Sequence, residues 1–234
     1  MNRPLNQHDC YRSPANLELI LRIAHYSVSR VLDIGAGTGG NITALKLQQP
    51  EAECVALTCS PLEAQALEGT ADQTVVADLN SLTTVQDWQN IGISPGDFDL
   101  VILSHVLEHL IDPGQILSGV SQLLRPKGLL LIALPNICHW RTRLRIARGQ
   151  FVYQDAGTLD RSHLRFYTYW TARELIETTE TLSVIQQWPV GGAILGPARS
   201  VLPRKVCRWI DQQAIKHWPN LFGFEAQLLA QRCS

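Results

Sequence analysis

Apolar and polar positions along the chain follow two periods in turn, and their order predicts an α/β fold. Short apolar runs such as L-V-I-L and L-L-L-I-A-L are typical of parallel strands that are buried on both faces. Segments with apolar residues three or four positions apart are typical of helices that cover such a sheet. Their alternation predicts a parallel sheet with right-handed crossovers and a ligand site at the carboxyl ends of the strands.

The predicted elements run through most of the chain. Strands are predicted over Arg30–Ile34, Cys54–Thr58, Gln73–Ala77, Phe98–Leu103, Leu129–Leu134, Leu182–Trp188 and Ala226–Gln231. Helices are predicted over Asn16–His25, Asn41–Gln48, Pro61–Leu67, Thr83–Gln89, Gln115–Leu124, Thr171–Thr179 and Val201–Trp218. The alternation stops over residues 135–168, which we interpret as a substrate or lid insertion. We interpret residues 191–222 as a C-terminal helical cover, and residues 1–234 as one domain.

Composition narrows the class of protein. The chain has 234 residues, 45% hydrophobic and 18% charged, and a net charge of -1. A single α/β domain is expected at this length, and the absence of a basic excess makes nucleic acid an unlikely partner. The six cysteines form no C-x-x-C pair, so reduced thiols are expected rather than a zinc site or a disulfide framework. No apolar run reaches membrane-spanning length, and we expect a cytoplasmic protein.

A glycine loop follows the first predicted strand. Residues 31–40 read V-L-D-I-G-A-G-T-G-G. Gly35, Gly37 and Gly39 suit an abrupt turn from strand to helix and allow the backbone to approach a nucleotide closely. Asp33 lies inside the strand, two positions before the first glycine. This segment resembles the first motif of the class I S-adenosylmethionine (SAM) methyltransferases, whose pattern is hydrophobic-L-D-x-G-x-G-x-G.

The resemblance implies a Rossmann-like, mostly parallel sheet of seven strands with helices on both faces and an antiparallel last strand. It also implies SAM as cofactor, held by Asp33, Gly35, Gly37, Gly39, Thr58, Asp78 and His105. Asp78 stands where the family has an acid that meets the adenine amino group, although a turn or N-cap role is open as well. Thr58 departs from the family, because the end of the second strand normally carries an acid for the ribose hydroxyls.

Further motifs extend the resemblance over nearly the whole chain. V-L-E-H-L follows the fourth predicted strand and R-P-K-G precedes the fifth. L-D-R-S-H-L-R-F-Y-T resembles the pattern L-D-R-T-H-L-R-F-F-T of stand-alone bacterial SAM methyltransferases. Tyr11, Arg12 and the segment P-N-L-F-G-F add to it. A nicotinamide enzyme is disfavoured, since it too needs an acid near Thr58.

Three side chains after the fourth strand are spaced for one helical face. His105, Glu108 and His109 stand at i, i+3 and i+4. The turn resembles the E-V-x-E-H turn that binds a divalent cation in small-RNA 2′-O-methyltransferases and some ubiquinone-pathway O-methyltransferases. The resemblance implies a metal set of His105, Glu108, His109 and the distant His163. Histidine in place of the first glutamate favours a softer ion than Mg²⁺.

Without a metal, His109 or His163 is a candidate general base, because imidazole titrates near neutral pH. The alternative is structural: Glu108 and His109 brace the loop, and His163 belongs to a polar cluster. Arg141, Arg145 and Arg148 share one face if their segment is helical. They form either a solvated surface or a clamp for an anionic acceptor.

The sequence therefore predicts a SAM-dependent methyltransferase that methylates an oxygen of a small or carrier-linked acceptor, with a nitrogen as the less favoured alternative. Two alternatives stay open: a metal-assisted RNA 2′-O-methyltransferase, and a catalytically silent SAM-fold binding protein, which the missing acid at Thr58 suggests. The identity of the acceptor and the oligomeric state are left open.

Overall fold

A seven-stranded sheet forms the centre of the computed structural model, which describes residues 15–233. Its strands are β1 (Arg30–Ile34), β2 (Glu53–Thr58), β3 (Gln73–Val76), β4 (Phe98–Ser104), β5 (Leu124–Pro135), β6 (Leu182–Gly191) and β7 (Gly223–Arg232). They lie in the order β3-β2-β1-β4-β5-β7-β6. Strand β7 is antiparallel to its neighbours β5 and β6, and the other pairs are parallel. The predicted fold class, including the antiparallel last strand, is confirmed.

Helices connect the strands and cover the sheet. They are α1 (Leu17–Leu21), α2 (Gly40–Gln48), α3 (Pro61–Ala66), α4 (Val85–Asn90), α5 (Pro113–Leu123), α6 (Trp140–Ala147), α7 (Tyr169–Glu177), α8 (Ala198–Val201), α9 (Arg204–His217) and α10 (Pro219–Phe222). Short 3₁₀ turns cover Leu79–Ser81 and Leu107–His109. Every predicted strand overlaps an observed one.

Two apolar clusters lie on opposite faces of the sheet. Alternate strand residues supply them because side chains in a strand point to opposite faces. Leu32 and Leu103 belong to one cluster, whereas Val31 and Ile102 belong to the other, which also contains Leu45 of α2. Burial on both faces explains the near-continuous apolar runs of the central strands and fixes the ends of those strands as the place for a polar site.

Two predicted helices differ from the observed ones. The first ends at Leu21 instead of continuing to His25, because the backbone bonds after it close tighter turns, as from Arg22 N to Leu19 O. The helix predicted over Val201–Trp218 is observed as α9 and begins at Arg204, whereas Val201 is the last residue of a separate short helix, α8. Pro203 separates them: it holds the preceding Leu202 in an extended conformation, with ψ of 144°.

The segment predicted as an insertion lies between β5 and α7. It contains α6 and is tied at its ends by a bridge between Asn136 and Tyr167. Tyr11 and Arg12, which contribute to the sequence resemblance, lie outside the described residues. Within residues 15–233, no helix is both long and apolar enough to span a bilayer. The assignment of the chain as one domain stays a prediction.

Candidate functional site

A cavity of about 650 Å³ opens at the carboxyl ends of the parallel strands. It is bounded by Gly35 after β1, Thr58 at the end of β2, Ser104 at the end of β4 and Pro135 at the end of β5. Glu225 of β7 closes another side. This volume is typical of a pocket for small molecules, and its position matches the expectation from the alternating pattern.

The glycine loop lies at one wall of the cavity, to which Gly35 and Gly37 contribute and Gly39 does not. Gly35, Gly37 and Gly39 have φ of 71°, 53° and 81°, in the left-handed region that favours glycine. The amides of Gly35 and Ala36 donate to the carbonyl of Leu57, at 2.8 and 3.1 Å, and so tie the loop to β2. A Cβ on Gly35 would lie 2.6 Å from a methyl group of Val106. The loop therefore has room for backbone only.

Asp33 lies beneath this loop and is 1% exposed. Neither carboxylate oxygen has a hydrogen-bond partner of good geometry among the described residues. Burial raises the pKa of Asp33 to about 7, and the side chain of Asn41 offsets only part of the rise. An unpartnered buried carboxyl is costly, and Asp33 itself is not part of the cavity wall.

At the end of β2, Thr58 is linked to a carboxylate that the sequence analysis did not single out. The buried hydroxyl of Thr58 donates to Oε2 of Glu63 and accepts a bond of 3.1 Å from the amide of Ser60. Glu63 is in the first turn of α3, is 6% exposed and lines the cavity. A glutamate in a first helical turn gives no sequence signal for a site, since acids are common there.

Asp78 follows β3 at the edge of the cavity. Its carboxylate accepts from the amide of Asn80 at 2.9 Å and caps the 3₁₀ turn that begins at Leu79. The residue also lines the cavity. The turn role is therefore observed, and one carboxylate has enough acceptor positions to accept a further hydrogen bond.

His105 lies between two buried carboxylates. Its Nδ1 is 3.3 Å from Oε1 of Glu108, and its Nε2 is 2.8 Å from Oε2 of Glu225. Burial opposes protonation, but the hydrogen bonds and charges of Glu108 and Glu225 outweigh it and raise the pKa of His105 to about 10. The backbone of His105 has φ of 58°, so the segment is not one helical turn. A protonated His105 has no lone pair for a metal.

Glu225 was also missed, because its partner stands 120 residues earlier in the chain. Its Oε1 accepts from Asn16 at 3.1 Å and from Gln227 at 2.8 Å. Burial acts against its ionisation, yet the hydrogen bond from His105 leads to a lowered pKa. The signal in the sequence is weak, because Glu225 is an acid directly before the strand predicted over Ala226–Gln231.

Glu108, His109 and His163 form a second group beside the cavity. One ligand atom from each residue lies within 4.8 Å of the others. Nδ1 of His109 is 3.3 Å from the carbonyl of Ser162, and Nδ1 of His163 is 3.2 Å from that of Thr158. A carbonyl only accepts, so in the neutral form of each ring Nδ1 carries the proton and Nε2 has the lone pair.

Glu108 and His163 are the two buried members of this group. Oε2 of Glu108 is buried without a hydrogen-bond partner among the described residues. Burial lowers the pKa of His163, whose Nε2 is 3.9 Å from Oε1 of Glu108. The amides of Leu164 and Arg165 donate to the backbone carbonyl of Glu108 and hold the two segments together. The arrangement offers a neutral imidazole next to a carboxylate.

A second cavity of about 420 Å³ adjoins the first, with Thr158 and Phe224 in the walls of both. Arg141, Arg145 and Arg148 of the α6 region line it and are exposed. None of the three lies in an ion pair with a described residue. We call this second cavity the arginine groove.

Comparisons with known proteins identify methyltransferases as the relatives of this chain. A family model described as a methyltransferase domain matches residues 8–229. A ubiquinone biosynthesis O-methyltransferase of Histophilus somni is 29% identical over 126 residues, which are 53% of this chain and 52% of that protein. A trans-aconitate 2-methyltransferase of Escherichia coli is 28% identical over 127 residues, which are 53% and 46% of the two chains. The chain thus spans about half the length of the curated relatives it matches.

Solved structures share the fold. A SAM-dependent methyltransferase from Archaeoglobus fulgidus superposes with a TM-score of 0.59 at 20% identity, over 93% of this chain and 95% of the other. The 1,6-didemethyltoxoflavin-N1-methyltransferase of Burkholderia thailandensis, solved with S-adenosylhomocysteine, has a TM-score of 0.56 at 16% identity, over 94% and 78%.

Proposed function

The chain belongs to the class I SAM-dependent methyltransferases, and on that premise we propose that it methylates an oxygen atom of a small or carrier-linked, anionic acceptor. The observation that carries the proposal is the neutral His163 beside the Glu108 carboxylate at the wall of the cavity. Such a pair suits removal of a proton from a hydroxyl. The relatives named for O-methylation and for trans-aconitate support oxygen and an acidic acceptor.

The residues of the cavity wall, together with those of the adjoining strand β1 and the glycine loop, fit SAM. The unpartnered carboxyl of Asp33 and the glycine backbone of positions 35, 37 and 39 would hold the methionine part, and Asp78 the adenine. When bound, SAM supplies an electrophilic methyl group on its sulfonium. The protein would exclude water and align an acceptor oxygen with that methyl group, and alignment can account for much of a rate enhancement.

His163 would act as the base. Its Nδ1 donates to the carbonyl of Thr158, so Nε2 is the nitrogen that receives the proton of the acceptor hydroxyl. The carboxylate of Glu108 then stabilises the imidazolium that forms, since an opposite charge nearby favours the protonated state. The ring of His109 lies edge-on at 4.8 Å and restricts the position of the His163 ring.

We assign the acceptor to the space between the two cavities. Residues 135–168 would shape it as a substrate insertion, and residues 191–222 would cover the domain. The arginine groove presents three cationic side chains without acidic partners among residues 15–233. Guanidinium groups bind carboxylates and phosphates through paired hydrogen bonds. We therefore propose that an anionic acceptor binds with its charged group at Arg145 and extends along Phe224 to His163.

A second candidate function is metal-assisted O-methylation. It is favoured by the buried, unpartnered Oε2 of Glu108 and by the two histidines whose Nε2 atoms are free of protons. Two imidazoles and one carboxylate suit a zinc-like ion, which would supply a Lewis acid that lowers the pKa of the acceptor hydroxyl. His105 is outside this set, because carboxylates engage both of its nitrogens.

An acceptor screen tests the function. The protein is incubated with SAM and one of five compounds: a hydroxylated aromatic compound, its phosphorylated counterpart, trans-aconitate, a primary amine or a short RNA. Formation of S-adenosylhomocysteine is measured with and without EDTA. We expect turnover with oxygen acceptors and preference for the anionic ones. Turnover with the amine alone, or with RNA alone, would overturn the proposal. Loss of turnover in EDTA, restored by a divalent ion, would select the metal-assisted form.

The arginine groove gives a prediction about acceptor affinity. Arg145→Glu is expected to raise KM for an anionic acceptor about tenfold, as for the loss of one charge-assisted hydrogen bond, while kcat and KM for SAM change little. Arg204→Glu, on the exposed start of α9 and outside both cavities, is the matched control. Equal KM values for the two variants would remove the groove from the acceptor site.

Asp33 predicts a pH dependence of cofactor affinity. With a pKa of about 7 in the free protein, its carboxyl is partly protonated near neutral pH, and the ammonium group of SAM favours the carboxylate. Binding then releases a proton, so affinity rises as pH increases through about 7 and levels off above it. Calorimetry in two buffers of different ionisation enthalpy measures the release. Asp33→Asn should abolish it, whereas Asp72→Asn, at the surface, should not.

A further inference from the structure

We infer that Glu63 supplies the carboxylate that accepts the ribose hydroxyls of SAM, in place of the acid missing from the end of β2. The inference rests on the cofactor site proposed above and names a residue of that site. In the resembled family an acid occupies the position of Thr58. Here a threonine stands at that position, and a buried glutamate five residues later is hydrogen-bonded to it.

Contacts at the end of β2 direct the Glu63 carboxylate toward the cavity. Thr58 is 1% exposed and Glu63 is 6% exposed, yet both line the cavity wall. The Thr58 hydroxyl has one proton, which it donates to Oε2 of Glu63, and its oxygen accepts from the amide of Ser60. Thr58 therefore works as a positioning residue: Glu63 and Ser60 engage its hydroxyl, and it holds the carboxylate in place.

The local sequence explains why Glu63 can reach this place. Ser60 caps α3 and accepts from the amide of Glu63, and Pro61 begins the helix. Glu63 thus lies in the first turn of a helix that begins three residues after Thr58, the last residue of the strand. Its side chain has one methylene more than aspartate, so it can return from the helix to the end of the strand.

A carboxylate suits a vicinal diol better than a hydroxyl does. It offers about four acceptor positions on two oxygens, so the bond from Thr58 is compatible with bonds from two ribose hydroxyls. Charge-assisted bonds of this kind are roughly twice as strong as neutral ones. The departure at Thr58 is therefore offset by Glu63, and the cofactor keeps a carboxylate for its ribose.

Calorimetric titration with two ligands tests the inference: S-adenosylhomocysteine and its 2′,3′-dideoxyribose analogue. We expect Glu63→Gln to weaken binding of S-adenosylhomocysteine by about 10- to 100-fold and to leave the dideoxy analogue within about twofold of wild type. Thr58→Val, which keeps the carboxylate but not its positioning bond, should give a smaller loss for the same ligand only. Glu68→Gln, exposed and outside the cavity, is the matched control.

Two results would overturn it. If Glu63→Gln weakens binding of both ligands equally, the residue serves folding rather than the ribose. If Asp78→Asn abolishes the preference of the wild type for the ligand with ribose hydroxyls and Glu63→Gln keeps that preference, the hydroxyls bind to Asp78. Failure of wild type to bind either ligand contradicts the cofactor site itself and is thereby distinguishable from both.

Discussion

Gly37→Val is expected to weaken SAM binding by at least about 100-fold, a loss of roughly 2.7 kcal/mol. Gly37 lines the cavity with φ of 53°, in the left-handed region where a β-branched residue is strained. Valine would either shift the loop or fill the space through which the backbone approaches the cofactor. The measurement is the dissociation constant for SAM by calorimetry, alongside the melting temperature.

Gly69→Val is the control that separates backbone strain from filling of the cofactor space. Gly69 has φ of 77°, and nothing lies within 4 Å of a Cβ added to it. It is outside the cavity wall. This control carries similar backbone strain, so it should lower the melting temperature and keep the affinity for SAM. An undiminished affinity in Gly37→Val, with a folded protein, would contradict the assignment of the loop.

His163→Ala is expected to lower kcat by about 100- to 10,000-fold, the range for loss of a general base, and to change SAM affinity less than twofold. The proton of the acceptor hydroxyl would lose its Nε2 acceptor, whereas the groups assigned to SAM belong to the glycine loop and to the ends of β2 and β3. Since His163 is buried, His163→Gln serves as a second variant that keeps most of the side-chain volume.

His217→Ala is the matched control, because His217 ends α9 and lines neither cavity. It should leave kcat unchanged. The pH profile adds a second readout: wild-type kcat/KM should rise as His163 loses its proton, with a midpoint below the ordinary pKa of histidine because burial lowers that pKa. A variant that keeps wild-type kcat and the same profile would return His163 to a structural role.

Local patterns in the sequence predicted most of the strands and helices of the fold. Strands β1 and β4 are recognised from their apolar runs, and the turn after β1 from the glycines at 35, 37 and 39. Each pattern spans only a few residues, so it can be recognised without knowledge of the tertiary contacts. The start of α9 was predicted at Val201, three residues too early, although proline at position 203 disfavours a helix at the residue before it.

The candidate site was harder to predict than the fold. Glu63 and Glu225 have no motif, and their roles arise from contacts with Thr58 and His105 that form only in the folded chain. The spacing of His105, Glu108 and His109 predicted one helical face. The positive φ of His105 instead directs it toward Glu225, whereas Glu108 and His109 meet His163.

Calorimetric titration of the purified protein with SAM, and in parallel with NAD, tests the central claim most directly. The account predicts saturable binding of SAM at one site, with proton release near neutral pH and no heat from NAD. A protein that is folded but gives no heat with SAM, or binds NAD instead, would contradict the assignment of the Asp33 carboxyl and the glycine loop as the cofactor site.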